Sequence, residues 1–252
     1  ERVVGNALQR ITDKPYIATK CGLVWNERRK IKPRLTAESI GRELVASLRR
    51  LKVDYIDLYQ IHWPNPEEQI EEAWEAIARF RAQGKIRYAG VSNFSVEQLL
   101  RCQHCHAVAS LQPPYSMLKR EVESDILPFC RENGIGVVTY SPLQKGLLTG
   151  AVTRQRIEEM PVDDHRKYDS DFKEPELSAH LALVERLKAI AQREGKSVAQ
   201  LAVAWILRRE EVTAAIVGAR KPSQIEETVE AGEWELSPEV IDEIESLLKK
   251  SK

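Results

Sequence analysis

The stretch Asp54-Tyr55-Ile56-Asp57-Leu58-Tyr59-Gln60-Ile61-His62-Trp63-Pro64 decides how this chain folds. It reads as a buried strand running into a loop, with His62 at the point where the strand ends. A histidine in a strand is more often a satisfied core residue than a catalytic one, so the flanking segments set its weight. Upstream, Thr36 is placed to cap a helix whose buried face is Ile40, Leu44, Leu48 and Leu51. Downstream, Pro66 opens a second helix with the stripe Ile70, Ala73, Trp74, Ile77 and Phe80, and Gly84 ends it.

The alternation extends both ways. Residues 3–8 form the end of a helix, Asp13-Lys14-Pro15 is a turn, and residues 16–20 are a short strand followed by a loop carrying Cys21, Gly22 and Trp25. After Gly84, residues 86–91 are a strand ending in Ser92-Asn93, and Ser95 with Gln98 makes a capping box for the next helix. Residues 108–111 are a strand ending in Gln112, and residues 121–133 are a helix closed by Gly134. Residues 136–140 are a strand ending in Ser141-Pro142, and a long polar loop covers positions 150 to about 175. Two helices follow, the second opened by Ser197 and Gln200. Residues 214–217 are the last strand, ending in Gly218-Ala219-Arg220, and helices from Pro222 and from Ser237-Pro238 finish the chain.

Short apolar strands alternating with amphipathic helices imply a parallel sheet built through right-handed crossovers. A doubly wound sheet would carry a glycine-rich phosphate turn after its first strand, and no G-x-G-x-x-G occurs. A (β/α)₈ barrel places one functional group at each strand's carboxyl end. The six strands end in Lys20, His62, Ser92-Asn93, Gln112, Tyr140-Ser141 and Gly218 to Arg220. The expected fold is therefore a TIM barrel, with residues 1–252 a single barrel domain. Six strands leave such a barrel two β/α units short, and those are expected upstream of Glu1.

The 252 residues carry 38 Lys plus Arg against 38 Asp plus Glu, which gives no electrostatic footprint for nucleic acid. No apolar run has transmembrane length and no signal peptide opens the sequence, so no membrane partner and a cytoplasmic location are expected. The four cysteines fit a reduced chain; Cys102-Gln103-His104-Cys105-His106 matches a haem-attachment signature by chance, and no metal site is expected.

The strand ends offer a lysine and a histidine to handle protons, amides to grip a planar carboxamide, and a tyrosine to stack on a ring. Arg220 and Lys221 at a helix start suit a phosphate. Such a set suits protonation of a carbonyl beside a bound nicotinamide nucleotide.

The runs Ile17-Ala18-Thr19-Lys20, Ile56 to Pro64, Gly90-Val91-Ser92-Asn93-Phe94 and Thr139-Tyr140-Ser141-Pro142-Leu143 resemble the aldo-keto reductase superfamily, in order and over nearly the whole chain. Gly146-Leu147-Leu148-Thr149-Gly150 and Ile216 to Arg220 resemble its bacterial branch. The resemblance implies NAD(P)H-dependent reduction of a small aldehyde or ketone by a Tyr, Asp, Lys and His set. Lys20 would lower the pKa of the tyrosine, and His62 would orient the carbonyl. Ser92, Asn93 and Gln112 would hold the nicotinamide carboxamide, with Tyr140 stacked on its ring. Ser141, Leu143 and Lys145 would line the pyrophosphate, Arg220 would lie near the 2′-phosphate, Glu227 and Thr228 would contact the adenine, and Gly218 would also bind the cofactor. Gln224 stands where many relatives have arginine, which weakens an NADPH preference and admits NADH. Trp25 and Trp63 are either rim packing or the wall of a substrate pocket. No residue matches the family's tyrosine and aspartate, and Tyr55 and Tyr59 read as structural. The rival reading is a nucleotide-binding regulatory module on the same barrel, as in potassium-channel β subunits.

Overall fold

A computed structural model describes residues 1–28 and 30–250 of the chain. In order, α1 (Arg2–Leu8) leads to β1 (Ala18–Cys21), β2 (Leu23–Trp25), β3 (Ile31–Pro33), α2 (Ala37–Leu51), β4 (Ile56–Ile61), α3 (Ile70–Ala82) and β5 (Ile86–Ser92). Then come α4 (Val96–Cys105), β6 (Ser110–Gln112), α5 (Ile126–Glu132), β7 (Gly136–Tyr140), α6 (Arg154–Glu158), α7 (Glu176–Arg193) and α8 (Val198–Leu207). β8 (Val212–Ile216), α9 (Pro222–Val229) and α10 (Pro238–Lys250) complete the series.

Among the described residues the main sheet has six strands in the order β1-β4-β5-β6-β7-β8. Each registered pair from β1 to β7 is parallel. Every main-sheet strand lies beside the next in the chain, and the order never reverses. A doubly wound sheet must reverse at its switch point, so this progression is that of the (β/α) barrel.

By compactness the chain forms two units: residues 1–113 with 125–137, and residues 114–124 with 138–252. In the first, β4 is buried on both faces, with Ile56, Tyr59 and Ile61 fully enclosed. Burying each such side chain contributes about 1.5–3 kcal/mol. Register is fixed by polar bonds as well. The Ile17 N–H donates to the buried Asp57 carboxylate at 2.9 Å, and the Leu58 N–H donates to the Ile17 carbonyl at 3.0 Å. Arg87 lies 3.5 Å from the same carboxylate. Thr36 accepts from the Ser39 N–H, and Ser95 with Gln98 forms the expected reciprocal box. Such caps are worth about 1 kcal/mol each.

In the second unit α8 is buried continuously from Val198 to Ile206, as its apolar sequence dictates. Trp205 lies beneath the guanidinium groups of Arg208, 3.7 Å from the ring centre, and Arg120, 5.0 Å away. Glu245 accepts from both arginines and Glu123 pairs with Arg120, so these cations are neutralised where they pack. Ser197 and Gln200 box the start of α8, and Ser237 accepts from the Val240 N–H at the start of α10.

Several boundaries differ from the sequence expectation. The loop after Lys20 is an antiparallel hairpin of β2 and β3, and Cys21 belongs to β1. Strands of three residues leave too little alternation to detect. The helix expected over 121–133 is a 3-10 turn at Glu121–Glu123 and then α5, which Asp125 caps through the Ile126 N–H. The helix after Pro66 likewise starts with a 3-10 turn at Glu67–Gln69. β6 is Ser110–Gln112 rather than 108–111, and β8 begins two residues early at Val212. The 150–175 loop contains α6 and two 3-10 turns, His165–Tyr168 and Ser170–Phe172. Phe172 and Leu177 bury themselves with Leu147 and Val152, which orders that segment. Tyr55 precedes β4 rather than lying within the strand, and it is 48% exposed.

α1 crosses α2 at Gly5. A Cβ there would lie 2.3 Å from the Arg50 carbonyl oxygen and 2.9 Å from that of Leu51, both backbone atoms. Helix propensity favours alanine by about 1 kcal/mol, whereas overpacking costs about 1–3 kcal/mol, and a backbone neighbour cannot step aside. Gly5→Ala should therefore lower the urea midpoint. Gly232→Ala, where nothing stands within 4 Å, should leave it within error. A Gly5→Ala protein as stable as the parent would mean that α1 is free to move off α2.

Candidate active site

Parallel register sorts the strand residues onto levels. Lys20 pairs with Gln60, Gln60 with Gly90, and Gly90 with Ser110, so these four share one face of the sheet. The next level on that face, two residues further along each strand, carries His62, Ser92 and Gln112; Ser92 pairs directly with Gln112. The His62 N–H donates to the Cys21 carbonyl at 2.9 Å, continuing the β1–β4 ladder past the last strand residue. The first unit thus gathers Lys20, His62, Ser92, Asn93 and Gln112 at neighbouring strand ends.

Asn93 sits at φ +65°, a left-handed conformation that asparagine tolerates better than most residues. From there its amide nitrogen donates to the His62 carbonyl at 3.0 Å and to Ser92 Oγ at 3.1 Å. Ser92 is 1% exposed, and its hydroxyl donates to the Gln112 carbonyl at 2.8 Å. Ser92 therefore ties β5 to β6 and offers a ligand only an acceptor. Gln112 donates through Nε2 to Gln60 Oε1 at 3.5 Å.

Burial lowers the Lys20 pKa below its ordinary value, because the ammonium is partly stripped of water. His62 is lowered first by burial and then by the Lys20 charge, which favours the neutral imidazole. Its ring stacks on Trp63, with centroids 6.4 Å apart and planes 14° from parallel. Trp63 is 45% exposed and Trp25, on β2, is 74% exposed. Both present apolar surface.

Tyr59 occupies the opposite face of β4, in register with Thr19. It is fully buried, and burial pushes its hydroxyl pKa far up, so it has neither the access nor the acidity of a proton donor. Behind the same strands Glu43 accepts the Gly22 N–H at 2.9 Å and holds the turn after β1. Gly22 is at φ +92°, where a Cβ would also strike Leu35.

The second unit contains a cavity of about 760 Å³, within the range of small-molecule sites. Tyr140, Ser141, Leu143, Lys145, Gly218, Arg220, Gln224, Glu227 and Thr228 all line it. After β7 the backbone enters the left-handed region at Ser141, Gln144 and Lys145, with Gly146 at φ +102°. Such residues cost about 1–3 kcal/mol each and persist only where the surroundings hold them. Gln144 accepts from Ser116 at 2.9 Å and donates to Asp171 at 2.6 Å, and Lys145 is ion-paired with Asp169. Burial raises the Tyr140 pKa, keeping a neutral ring at the cavity wall.

Arg156 and Arg166, from the segment expected to be a polar loop, also line the cavity. Asp164 grips Arg166 through two nitrogens, at 2.9 and 2.6 Å, which holds its own carboxyl well below the usual range. The cluster of arginines and aspartates over 154–171 was the available signal for a binding wall. At the α9 start, Gln224 Oε1 accepts the N–H groups of both Arg220 and Lys221, at 2.8 and 3.2 Å. These backbone donors, expected to face a phosphate, are occupied by a side chain; the Arg220 guanidinium remains exposed.

Within the second unit, the cations and the aromatic ring at the cavity wall suit an anionic ligand that carries a ring. Among the described residues no group of three or more His, Cys, Asp or Glu could hold a metal ion, and no helix is long and apolar enough to cross a membrane. Cys102 is buried on α4, where burial pushes its thiol up to about 12.

Comparison with known proteins identifies the family. The family description "Aldo/keto reductase family" matches residues 1–249. The chain is 39% identical to aldo-keto reductase YhdN of Bacillus subtilis over 252 residues, covering 99% of this chain and 75% of that protein. It is 33% identical to the NADH-specific methylglyoxal reductase of Escherichia coli over 244 residues, covering 92% and 74% respectively. The solved glycerol dehydrogenase of Gluconobacter oxydans superposes with a TM-score of 0.93 at 36% identity, over 99% of this chain and 77% of its own. A fold of the (β/α) barrel type, consecutive parallel strands and family motifs at their ends converge on one assignment: this chain belongs to the aldo/keto reductase family of oxidoreductases.

Proposed function

We propose that the chain carries out NAD(P)H-dependent reduction of small aldehydes or ketones. The observation that carries this reading is the cavity walled by Lys145, Arg166 and Arg220, with Tyr140 at its edge. A bound nicotinamide supplies a hydride. Lys145, Ser141 and Leu143 line the pyrophosphate, Tyr140 packs on the ring, and Asn93 and Gln112 hold the carboxamide through their amides. Thr228 and Glu227 contact the adenine end beside Gly218. Lys20 and His62 manage the proton: the neutral imidazole donates to the substrate oxygen, and the desolvated ammonium favours loss of a proton from the group that protonates the alkoxide. Trp25 and Trp63 form the apolar wall of the substrate site. Tyr59 is fully buried on the other face and is not the proton donor.

The cofactor preference follows from Arg220. Its side chain favours a 2′-phosphate, but Gln224 has taken the adjacent backbone donors. NADPH should bind more tightly than NADH by about tenfold, the low end for a charge-assisted contact. Arg220→Ala should remove that ratio in a cofactor-fluorescence titration. An unchanged ratio would sink the role given to Arg220.

Lys20→Met and His62→Ala should cut turnover of a probe such as methylglyoxal by about 10²-fold, with the NADPH Kd changed less than about threefold. Loss of NADPH binding in either variant would reverse the assignment. Tight cofactor binding with no turnover across a panel of aldehydes and ketones would favour the nucleotide-binding module instead.

His62 also makes stability depend on pH. Its folded pKa is lowered, so the unfolded chain binds the proton first as pH falls. The stability is fully present above the unfolded histidine pKa of about 6.5 and is lost progressively below it, towards the folded pKa. Urea titrations at pH 7.5 and 5.5 should give a smaller loss for His62→Gln than for the parent. An equal loss would mean that His62 titrates alike in both states.

A further inference from the structure

Gln60 is a buried carboxamide with no place in the function just proposed. It is 1% exposed and lies on the sheet face that carries Lys20 and Ser110. Leucine would fill a similar volume without the cost of burying an amide, so the polar head needs a reason. The path of its side chain supplies one. Gln60 stands on β4, Gly90 faces it on β5, and Gln112 belongs to β6. A Cβ on Gly90 would lie 3.1 Å from Gln60 Cγ and 2.4 Å from Ser110 Oγ. The missing side chain of Gly90 is thus the gap through which Gln60 crosses a whole strand. On the far side its Oε1 accepts the Nε2–H of Gln112 at 3.5 Å.

We propose that Gln60 is a positioning residue that fixes the rotation of the Gln112 amide. An amide can be turned by half a revolution with almost no change in shape, so packing alone does not choose which end faces a ligand. A polar partner below it does, and here that partner is the Gln60 oxygen. With Nε2 drawn down to Gln60, Gln112 Oε1 is presented to the strand ends as an acceptor. An acceptor there selects a ligand with an amino group: the carboxamide of a nicotinamide rather than a ketone of the same outline. Gln112 is itself 4% exposed and sits in register with Ser92, so its backbone is held while its head group is set from beneath. This inference rests on the cofactor reading above and adds the residue that makes the amide directional.

The test is a binding measurement. NADPH is compared with the reduced 3-acetylpyridine analogue, in which a methyl group replaces the carboxamide nitrogen. The parent protein should favour NADPH by about tenfold, the worth of one buried hydrogen bond. Gln60→Leu and Gln60→Met should each bring that ratio to within about threefold of unity, with melting temperatures recorded alongside. Gln60→Glu keeps an acceptor below Gln112 and should restore the ratio. Adding Gln60→Leu to Gln112→Leu should change the ratio no further. If the parent discriminates and the folded Gln60 variants discriminate equally well, the positioning role is overturned and the cofactor reading stands. If the parent binds both nucleotides equally, Gln112 does not read the amino group, and this inference fails alone. If the parent binds neither, both readings fail together.

Discussion

The parallel register of β4 against β1 and β5 is the constraint on which the first unit depends. Because side chains alternate with a period of two, a slip of one residue would turn Lys20 or Gln60 to the helix side and bring Cys21 or Tyr59 to the site face. Two features prevent it. Ile56, Tyr59 and Ile61 are fully buried, so a slip would exchange apolar burial for buried polar groups. Asp57 also holds the Ile17 N–H just before β1 begins, alongside the bond from the Leu58 N–H to the Ile17 carbonyl. One carboxylate therefore aligns the strand that carries the lysine with the strand that leads to the histidine.

Once that alignment is set, the strand ends accumulate polar groups that a core would exclude. They are tolerated because they satisfy one another. Asn93 bonds the His62 carbonyl, Ser92 bonds the Gln112 carbonyl, and Gln112 bonds Gln60. Burial moves both Lys20 and His62 towards the neutral form, and the Lys20 charge adds to the shift of His62. In the second unit the same economy holds around the cavity. The left-handed turn after β7 is pinned through Gln144 and Lys145 by aspartates of the segment that carries α6 and the two 3-10 turns. Strain at the cavity wall is sustained by contacts with a loop.

Much of this was legible beforehand, for identifiable reasons. Strands β4, β5 and β7 end in recognisable polar residues because apolar runs bounded by turn residues carry their own signal. Both capping boxes, at Ser95 and Ser197, appear where the residue pattern placed them, since a cap is decided within four positions. The hairpin of β2 and β3 was missed because three-residue strands carry no period. The 150–175 segment read as polar loop because its order comes from Phe172 and Leu177 packing on Leu147 and Val152 rather than from local propensity.

The sequence by itself determined the order of β/α units, the family, and the residues that end each strand, all of which depend on local periodicity and short motifs. Tertiary structure alone decided what those residues are bonded to. Gln224 caps the N–H groups that Arg220 and Lys221 were expected to offer a phosphate, Arg156 and Arg166 join the cavity wall, and Gln60 reaches Gln112 across Gly90. The last contact joins positions 52 apart in the chain. It exists because a glycine on the intervening strand leaves room, and no pattern within a single segment records which side chain will cross that gap.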